Sequence, residues 1–239
     1  MNLYVLDYIL YGLFGLSILV ARFAQIKVSL TFRRYAKKTA VPGMTAADGV
    51  RRLLDGAGLS EVSVDRVRGN LTDHYDPRDN TIRLSESVYD SDSVAALGVA
   101  AHETGHAIQH AENYLPIVIR QKLVPVTTFA SHASWIFILI GLIFSSGAFL
   151  GNVFLLIGVG LFAVTTLFQL VTLPCEFNAS HRALVLIKND LGLGDREVRE
   201  VRRVLSAAAM TYVAALFTSL LQLARLLILF AGNNSRRKR

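Results

Sequence analysis

The sequence predicts a mainly helical α+β integral membrane protein, with about four transmembrane helices and a small β-sheet before the helix that contains residues 102–106. Hydrophobic residues make up 52% of the 239 residues, which exceeds their share in most soluble domains. They are concentrated in long blocks, and about 20 apolar residues are enough to cross a bilayer as a helix. A polar stretch between two blocks contains His102-Glu-Thr-Gly-His106, which matches the H-E-x-x-H pattern.

The first apolar block covers residues 3–20 and is interrupted only by Asp7. We interpret it as a membrane anchor and not as a cleaved signal peptide, because no basic segment precedes it and no small-residue cleavage site stands out. Six basic residues and no acidic ones follow in residues 22–38. Because basic flanks favour the cytoplasmic side of a membrane, we expect a multi-pass protein with a cytoplasmic active site.

Residues 41–122 have the pattern of a water-exposed domain. Thr45 and Asp48 predict a capping box at the start of a helix that Gly56 and Gly58 would end. Apolar residues at positions 62–67 and the alternation at 81–84 predict two strands, and residues 75–80 between them are rich in turn formers. We expect the second strand to be a sheet edge that binds substrate backbone by β-augmentation, through Thr81, Ile82, Arg83 and Leu84.

The H-E-x-x-H match predicts a zinc site on a helix that a residue among 91–93 would cap. Residues four apart lie on one helix face, so His102 and His106 can direct both imidazoles at one ion. Glu103 follows the first histidine, where its carboxylate can take a proton from a zinc-bound water. The alternative is an ordinary helix that carries two histidines.

A second apolar region lies between Lys122 and Glu176, which enclose no charged residue. Its length predicts two spans, near residues 126–144 and 153–172, with a turn marked by 145–148 and 151–152. A hairpin returns the chain to the side that it left, so Glu176 is the first acid available as a third zinc ligand. The alternative is that Glu176 is a first-turn acid that the helix dipole favours.

The remaining chain contains a charged connector and a last apolar segment interrupted by Gln222 and Arg225. If that segment crosses the membrane, the final basic residues lie outside, against the usual charge rule; the alternative is that it does not cross fully. The sequence divides into six predicted parts. These are an N-terminal transmembrane helix (1–24), a catalytic part (25–122), a transmembrane hairpin (123–173), a third-ligand helix with the connector (174–206), a C-terminal transmembrane helix (207–232) and a basic tail (233–239).

Five stretches spread over almost the whole chain carry a resemblance to a known family: LTDHYDP (71–77), IRLS (82–85), AAHETGHAIQ (100–109), LPCEFNAS (173–180) and AAMTYVA (208–214). Together they resemble the YugP-like neutral zinc metallopeptidases of bacterial membranes. The resemblance implies a zinc-dependent endopeptidase in which His102, His106 and Glu176 bind one Zn²⁺ per chain. It also implies that Glu103 is the catalytic base.

The chain is more distantly similar to the HtpX-type membrane zincins, which place a membrane hairpin between the histidine motif and a Glu-x-x-Ala-Asp ligand motif. This sequence departs from that pattern, because Ser180 stands where those proteins have aspartate. Ser180 can therefore orient a ligand histidine only as a neutral partner. For stabilising the oxyanion of the reaction, the candidates are Tyr212 and His181.

The predicted partners are a polypeptide substrate, including membrane proteins, and the lipid bilayer. Nucleic acid is not expected, because the net charge of +7 comes from basic residues beside apolar blocks, without a basic-aromatic motif. The single cysteine excludes an internal disulfide and a cysteine-based zinc cage. One alternative function is a catalytically inactive membrane adaptor that keeps a structural zinc site. A transporter is disfavoured because the spans have no paired acidic relay.

Overall fold

The computed structural model describes residues 3–144 and 149–237 and contains six helices and three strands in this part of the chain. This confirms the predicted mainly helical α+β fold. In chain order the elements are α1 (Leu3–Tyr35), α2 (Ala46–Gly56), β1 (Ser63–Val67), β2 (His74–Asp76), β3 (Thr81–Ser85), α3 (Val94–Ala111), α4 (Leu115–Ile143), α5 (Phe149–Asn189) and α6 (Asp195–Arg237).

Four helices are long and apolar enough to cross a membrane, as the sequence predicts: Tyr8–Tyr35, Leu115–Ile143, Phe149–Asn189 and Asp195–Gly232. All four also contain charged residues towards one end, so each predicted span shares one helix with a charged segment. The predicted turn residues 145–148 lie outside the described residues. The turn at 151–152 is wrong, because both residues lie inside α5. A glycine costs a helix only about 1 kcal/mol, and the long apolar sequence around Gly151 outweighs that cost.

The described helices and strands separate into two compact units. Unit 1 contains Met1–Phe23, Ile119–Thr172 and Tyr212–Arg239, and unit 2 contains Ala24–Val118 and Leu173–Thr211. All three strands, with α2 and α3, belong to unit 2.

Unit 1 is a helical unit in which two glycines permit close backbone approach of α4 and α5. A Cβ on Gly141 would lie 2.6 Å from the backbone nitrogen of Leu155, so only glycine fits there. The polar interruptions of the last span face protein: Gln222 is buried, and the Arg225 guanidinium lies 3.4 Å from the centre of the Tyr11 ring. A cation over an aromatic face is stabilised electrostatically, which lowers the cost of an arginine within an apolar segment.

Unit 2 is built around a three-stranded sheet in the order β1-β3-β2, in which β3 pairs in parallel with β1 and antiparallel with β2. The fully buried side chains of Ile82 and Leu84 pack with α2 and α3 in the hydrophobic core. The prediction that Thr81–Leu84 forms a sheet edge is therefore wrong, because this strand is the central one. The free edge on the side of β2 belongs to His74–Asp76.

The helices α2 and α3 of unit 2 both begin at predicted caps. The Thr45 hydroxyl accepts from the Asp48 N–H, and the Asp48 carboxylate accepts from the Thr45 N–H, which confirms the capping box. The Ser93 hydroxyl accepts from the Ala96 N–H at 3.2 Å and caps α3. Each cap satisfies backbone donors that a helix leaves unpaired in its first turn.

Candidate metal centre

The H-E-x-x-H helix, α3, lies directly against α5. A Cβ on Gly105 would lie only 2.6 Å from the backbone oxygen of Ala179 on α5, so the two backbones touch at this point. Gly105 occupies the last variable position of the motif, between Glu103 and His106. The close approach allowed by this glycine brings the histidine face of α3 to the stretch of α5 that carries Glu176.

Three potential ligands, one on each of His102, His106 and Glu176, converge between the two helices. Their ligand atoms all lie within 4.8 Å of one another. His102 Nε2 is 3.2 Å from Glu176 Oε2, and His106 Nε2 is 3.7 Å from the same oxygen. The two imidazole rings are nearly perpendicular, at 84°.

These spacings fit a zinc ion. Zinc bound at about 2.1 Å to tetrahedral ligands separates those ligands by about 3.4 Å, which the two distances to Glu176 bracket. Two imidazole nitrogens and one carboxylate oxygen are also a donor set that zinc accepts in catalytic sites, where a fourth position stays open. Glu176 is 2% exposed, and a carboxylate buried to that extent requires a cation or strong hydrogen bonds nearby.

Glu176 lies well inside α5, which continues through Pro174 and ends at Asn189. The alternative interpretation of Glu176 as a first-turn acid is therefore wrong. The helical conformation is disfavoured for a residue before a proline, but packing can hold it there, and Cys175, Ala179 and Ala183 on this part of α5 are fully buried.

The second nitrogen of each histidine has its own partner. His102 Nδ1 lies 3.2 Å from the Ser180 hydroxyl, and His106 Nδ1 lies 3.0 Å from the Gln109 side-chain oxygen. In the tautomer that donates the Nδ1 proton to these oxygens, both Nε2 atoms would be available as metal ligands beside Glu176. Partners of this kind fix the ring orientation and the tautomer that a metal requires.

The contact with Gln109 was not foreseen from the sequence. Its side-chain amide is fully buried and donates at 2.9 Å both to the Cys175 carbonyl and to Asn178 Oδ1. Gln109 therefore connects His106 on α3 with the residues that flank Glu176 on α5. Its position three residues after His106, on the same helix face, is the signal that could have indicated this role.

Glu103 is buried beside the three ligands, and its Oε2 accepts from the Tyr75 N–H at 3.0 Å. Burial raises the pKa of the Glu103 carboxyl to about 7, and the negative charges of Glu176 and Asp73 act in the same direction. The opposing influence of His102 and the Tyr75 N–H is smaller. A carboxyl of this kind is poised to exchange a proton near neutral pH.

Tyr75 joins the edge strand β2 to α3 by its side chain as well as its backbone. The phenol oxygen lies 2.8 Å from Asn80 Oδ1 and 2.8 Å from His110 Nδ1. Burial raises the pKa of Tyr75 to about 12, so the phenol stays protonated. Neither Tyr75 nor His110 was predicted to belong to the site.

Asp73 fixes the start of β2. Its carboxylate accepts from the Ser85 N–H at 2.7 Å and from the Ser85 hydroxyl. Burial raises the pKa of Asp73, although these hydrogen bonds oppose the increase. The bonds of Asp73 to Ser85 fix the chain just before Tyr75, and the pairing of β2 with β3 fixes Tyr75 itself. Together they keep the Tyr75 N–H directed at Glu103.

Two further residues were predicted to belong to the site. His181 is exposed on α5 and lines a neighbouring cavity with Ser180 and Leu184. Tyr212 belongs to unit 1, while the three ligands belong to unit 2. An oxyanion role for either residue stays a prediction.

Comparison with known proteins extends over both helices of the centre. Residues 10–231 match the model of a family described as "Putative neutral zinc metallopeptidase". Over 208 residues, the chain is 47% identical to a Bacillus subtilis (strain 168) protein named "Putative membrane protease YugP", an alignment that covers 87% of this chain and 90% of that protein. No solved structure matches the chain significantly. The family match includes all three potential ligands and Glu103.

Proposed function

The chain belongs to this neutral zinc metallopeptidase family, and on that premise we propose that it is a membrane-embedded endopeptidase with Glu103 as its general base. The observation that carries the proposal is the convergence of His102, His106 and Glu176 beside a fourth, buried carboxyl group. Three ligands suffice to hold a catalytic metal with one open position. The additional carboxyl group is not needed to bind it.

We assign one Zn²⁺ per chain to His102 Nε2, His106 Nε2 and the Glu176 carboxylate. When bound there, zinc would polarise the scissile carbonyl and increase the acidity of a water molecule at the open position. Gln109 and Ser180 hold the two imidazoles in the tautomer that this binding requires.

Glu103 moves the proton. The Tyr75 N–H holds Oε2, and we assign Oε1 as the atom that accepts the proton of the attacking water. The protonated carboxyl can then donate to the leaving amine of the peptide. The Glu103 carboxyl is buried, which shields it from bulk water.

The free edge of β2 is the surface that we assign to the substrate backbone, in place of the central strand β3. The Tyr75 N–H points away from β3 and donates to Glu103, which supports assigning this edge to a substrate that lies beside the metal centre. An extended peptide laid along a free strand edge gains main-chain hydrogen bonds irrespective of its sequence. The substrate class is therefore a locally unfolded polypeptide, including segments of membrane proteins.

We place the active site on the cytoplasmic face of the membrane. The basic residues 22–38 follow the first apolar stretch, and Arg196, Arg199, Arg202 and Arg203 precede the last one. Clusters of this kind next to membrane spans favour the cytoplasm.

The alternative function, an inactive adaptor with a structural zinc site, does not explain why a carboxyl group that is not a zinc ligand is buried at position 103. Burying a carboxyl group is costly unless it is paired or neutral, and the raised pKa of Glu103 shows that burial has this effect here. An adaptor could replace Glu103 by glutamine at no loss of zinc.

Hydrolysis of fluorescently labelled casein by the purified protein in detergent micelles tests the proposal. Glu103→Gln should lower the rate at least about 100-fold, since a positioned general base contributes about 10² to 10⁴. Its zinc content should equal that of the wild type. Glu86→Gln, the same chemical change at an exposed position, is the matched control and should leave the rate unchanged. Hydrolysis by Glu103→Gln at the control rate would refute the assignment.

A further inference from the structure

We propose that unit 2 carries a binding site for the phosphate of an anionic phospholipid, in a cationic groove between α1 and α6. The groove has a volume of about 510 Å³. Four of its lining residues are basic, namely Lys27 and Arg34 on α1 and Arg202 and Arg203 on α6.

Helical spacing explains why these side chains share one groove. On α1, the lining residues Lys27, Thr31 and Arg34 recur at intervals of four and three, which places them on one face. On α6, the lining residues from Arg202 to Met210 recur in the same way. Two helix faces that lie far apart in the sequence thus direct their cations into one concave surface.

The groove has no internal counter-charge. Among residues 3–144 and 149–237, neither Lys27, Arg34 nor Arg202 takes part in an ion pair within 4.0 Å, and no acidic residue lines the groove. Glu200, whose charge acts on Arg203, does not line the groove and is paired with Lys38. Repulsion among cations is unfavourable unless an anion lies between them.

Hydroxyl groups complete an anion site. Thr31 and Ser206 line the groove, and the Tyr35 hydroxyl accepts from Arg203 at 3.1 Å, which holds that guanidinium at the wall. Guanidinium and hydroxyl donors around a concave surface match the oxygens of a phosphate group, which arginine binds with two parallel hydrogen bonds.

A lipid source is indicated by the surroundings of the groove. Residues 204–224 of α6 contain no charged residue, so Arg202 and Arg203 are the last cations before that apolar stretch. A second cavity, of about 410 Å³, shares Arg202, Ser206 and Met210 with the groove. Four of its six other lining residues are apolar, namely Phe177, Leu184, Leu205 and Ala209, and the remaining two are Ser180 and His181. A ligand with a phosphate at one end and an acyl chain at the other fits both; free phosphate fits only the first.

The test measures lipid binding by the full chain in neutral detergent micelles. Native mass spectrometry quantifies bound dioleoylphosphatidylglycerol and, as a zwitterionic reference, dioleoylphosphatidylcholine. Arg34→Gln/Arg202→Gln removes two cations from the groove and should weaken phosphatidylglycerol binding about 25-fold, at about a fivefold contribution per cation. The matched control, Arg33→Gln/Arg199→Gln, removes two exposed cations of the same helices outside the groove and should change binding less than about threefold.

Competition experiments distinguish a lipid phosphate from a soluble phosphate as the ligand. Glycerol 1-phosphate and inorganic phosphate should not compete with the lipid at millimolar concentration. Ser206→Trp fills the groove without changing charge and should also abolish preferential binding, while the melting temperature checks that each variant folds. Equal losses in the groove and control variants would overturn the site, because the attraction would then be general. Competition by glycerol 1-phosphate as strong as that by lipid, or no preference for the anionic lipid, would overturn the proposal as well.

Discussion

Replacing Gln109 by methionine tests whether a single buried amide prepares His106 to bind zinc. Methionine matches glutamine in length but removes three hydrogen bonds, which link the amide to His106 Nδ1, the Cys175 carbonyl and Asn178 Oδ1 at 2.9–3.0 Å. At about 1 kcal/mol per bond, the free energy of unfolding of the zinc-free protein should fall by about 2–3 kcal/mol. The zinc affinity should fall about 10- to 100-fold, because His106 loses the acceptor that fixes its tautomer.

A control and a partial rescue separate these two effects. Thr104→Val changes another fully buried polar residue of α3, whose hydroxyl bonds the Ala100 carbonyl of the same helix at 3.2 Å. It should cost about 1 kcal/mol of stability and leave zinc affinity unchanged. Gln109→Glu keeps an acceptor for His106 but loses both donors, so it should recover zinc affinity without recovering stability.

Zinc affinity is measured by competition with a fluorescent chelator, and stability by thermal unfolding of the chelated protein in detergent. The reasoning would be refuted if Gln109→Met and Thr104→Val bound zinc with equal affinity. It would also be refuted if Gln109→Glu bound zinc as weakly as Gln109→Met, since then the acceptor at His106 would be irrelevant.

Three further outcomes are expected. Gly105→Ala should lower the free energy of unfolding by about 1–3 kcal/mol and reduce zinc content, because the added Cβ would meet the Ala179 oxygen. The control Gly56→Ala has open space around its Cβ and should not destabilise the protein in thermal unfolding. Dialysis against a chelator should abolish casein hydrolysis, and one equivalent of zinc should restore it; activity that survives removal of all metal would exclude the mechanism. Tyr75→Phe should cost about 1 kcal/mol of stability through its bonds to Asn80 and His110, yet retain zinc, and loss of zinc would contradict the geometry.

The sequence predicts the metal centre well because its geometry is mostly local. The spacing of His102 and His106 follows from the helix period, and the charge-free stretch before Glu176 has the length of a hairpin. The structure brings these three residues together. Their roles as ligands, and that of Glu103 as base, stay predictions until metal and activity are measured.

The order of the strands could not be predicted in the same way. Pairing between strands depends on contacts distant in sequence, and β2 has only the three residues His74–Asp76, too few for an alternation pattern. The sequence therefore suggested that the clearer strand, β3, was the edge. The burial of Thr81, Ile82, Leu84 and Ser85 shows why it is central, since β1 pairs with it over all five positions.

The partners of the ligands were only partly foreseen. Ser180 was recognised from its place in a motif, and its hydroxyl lies next to His102 Nδ1. Gln109 and Tyr75 were missed because their roles depend on the packing of α3 against α5 and against β2. Hydrogen bonds between elements far apart in the chain leave no periodic pattern in the sequence.

The most direct test of the metal centre is anomalous scattering at the zinc edge from crystals of the Glu103→Gln protein, in which hydrolysis cannot consume a bound peptide. The account predicts one peak per chain, at about 2.0–2.2 Å from His102 Nε2, His106 Nε2 and a Glu176 oxygen. A peak more than about 3 Å from Glu176, or no peak in protein loaded with zinc, would contradict it.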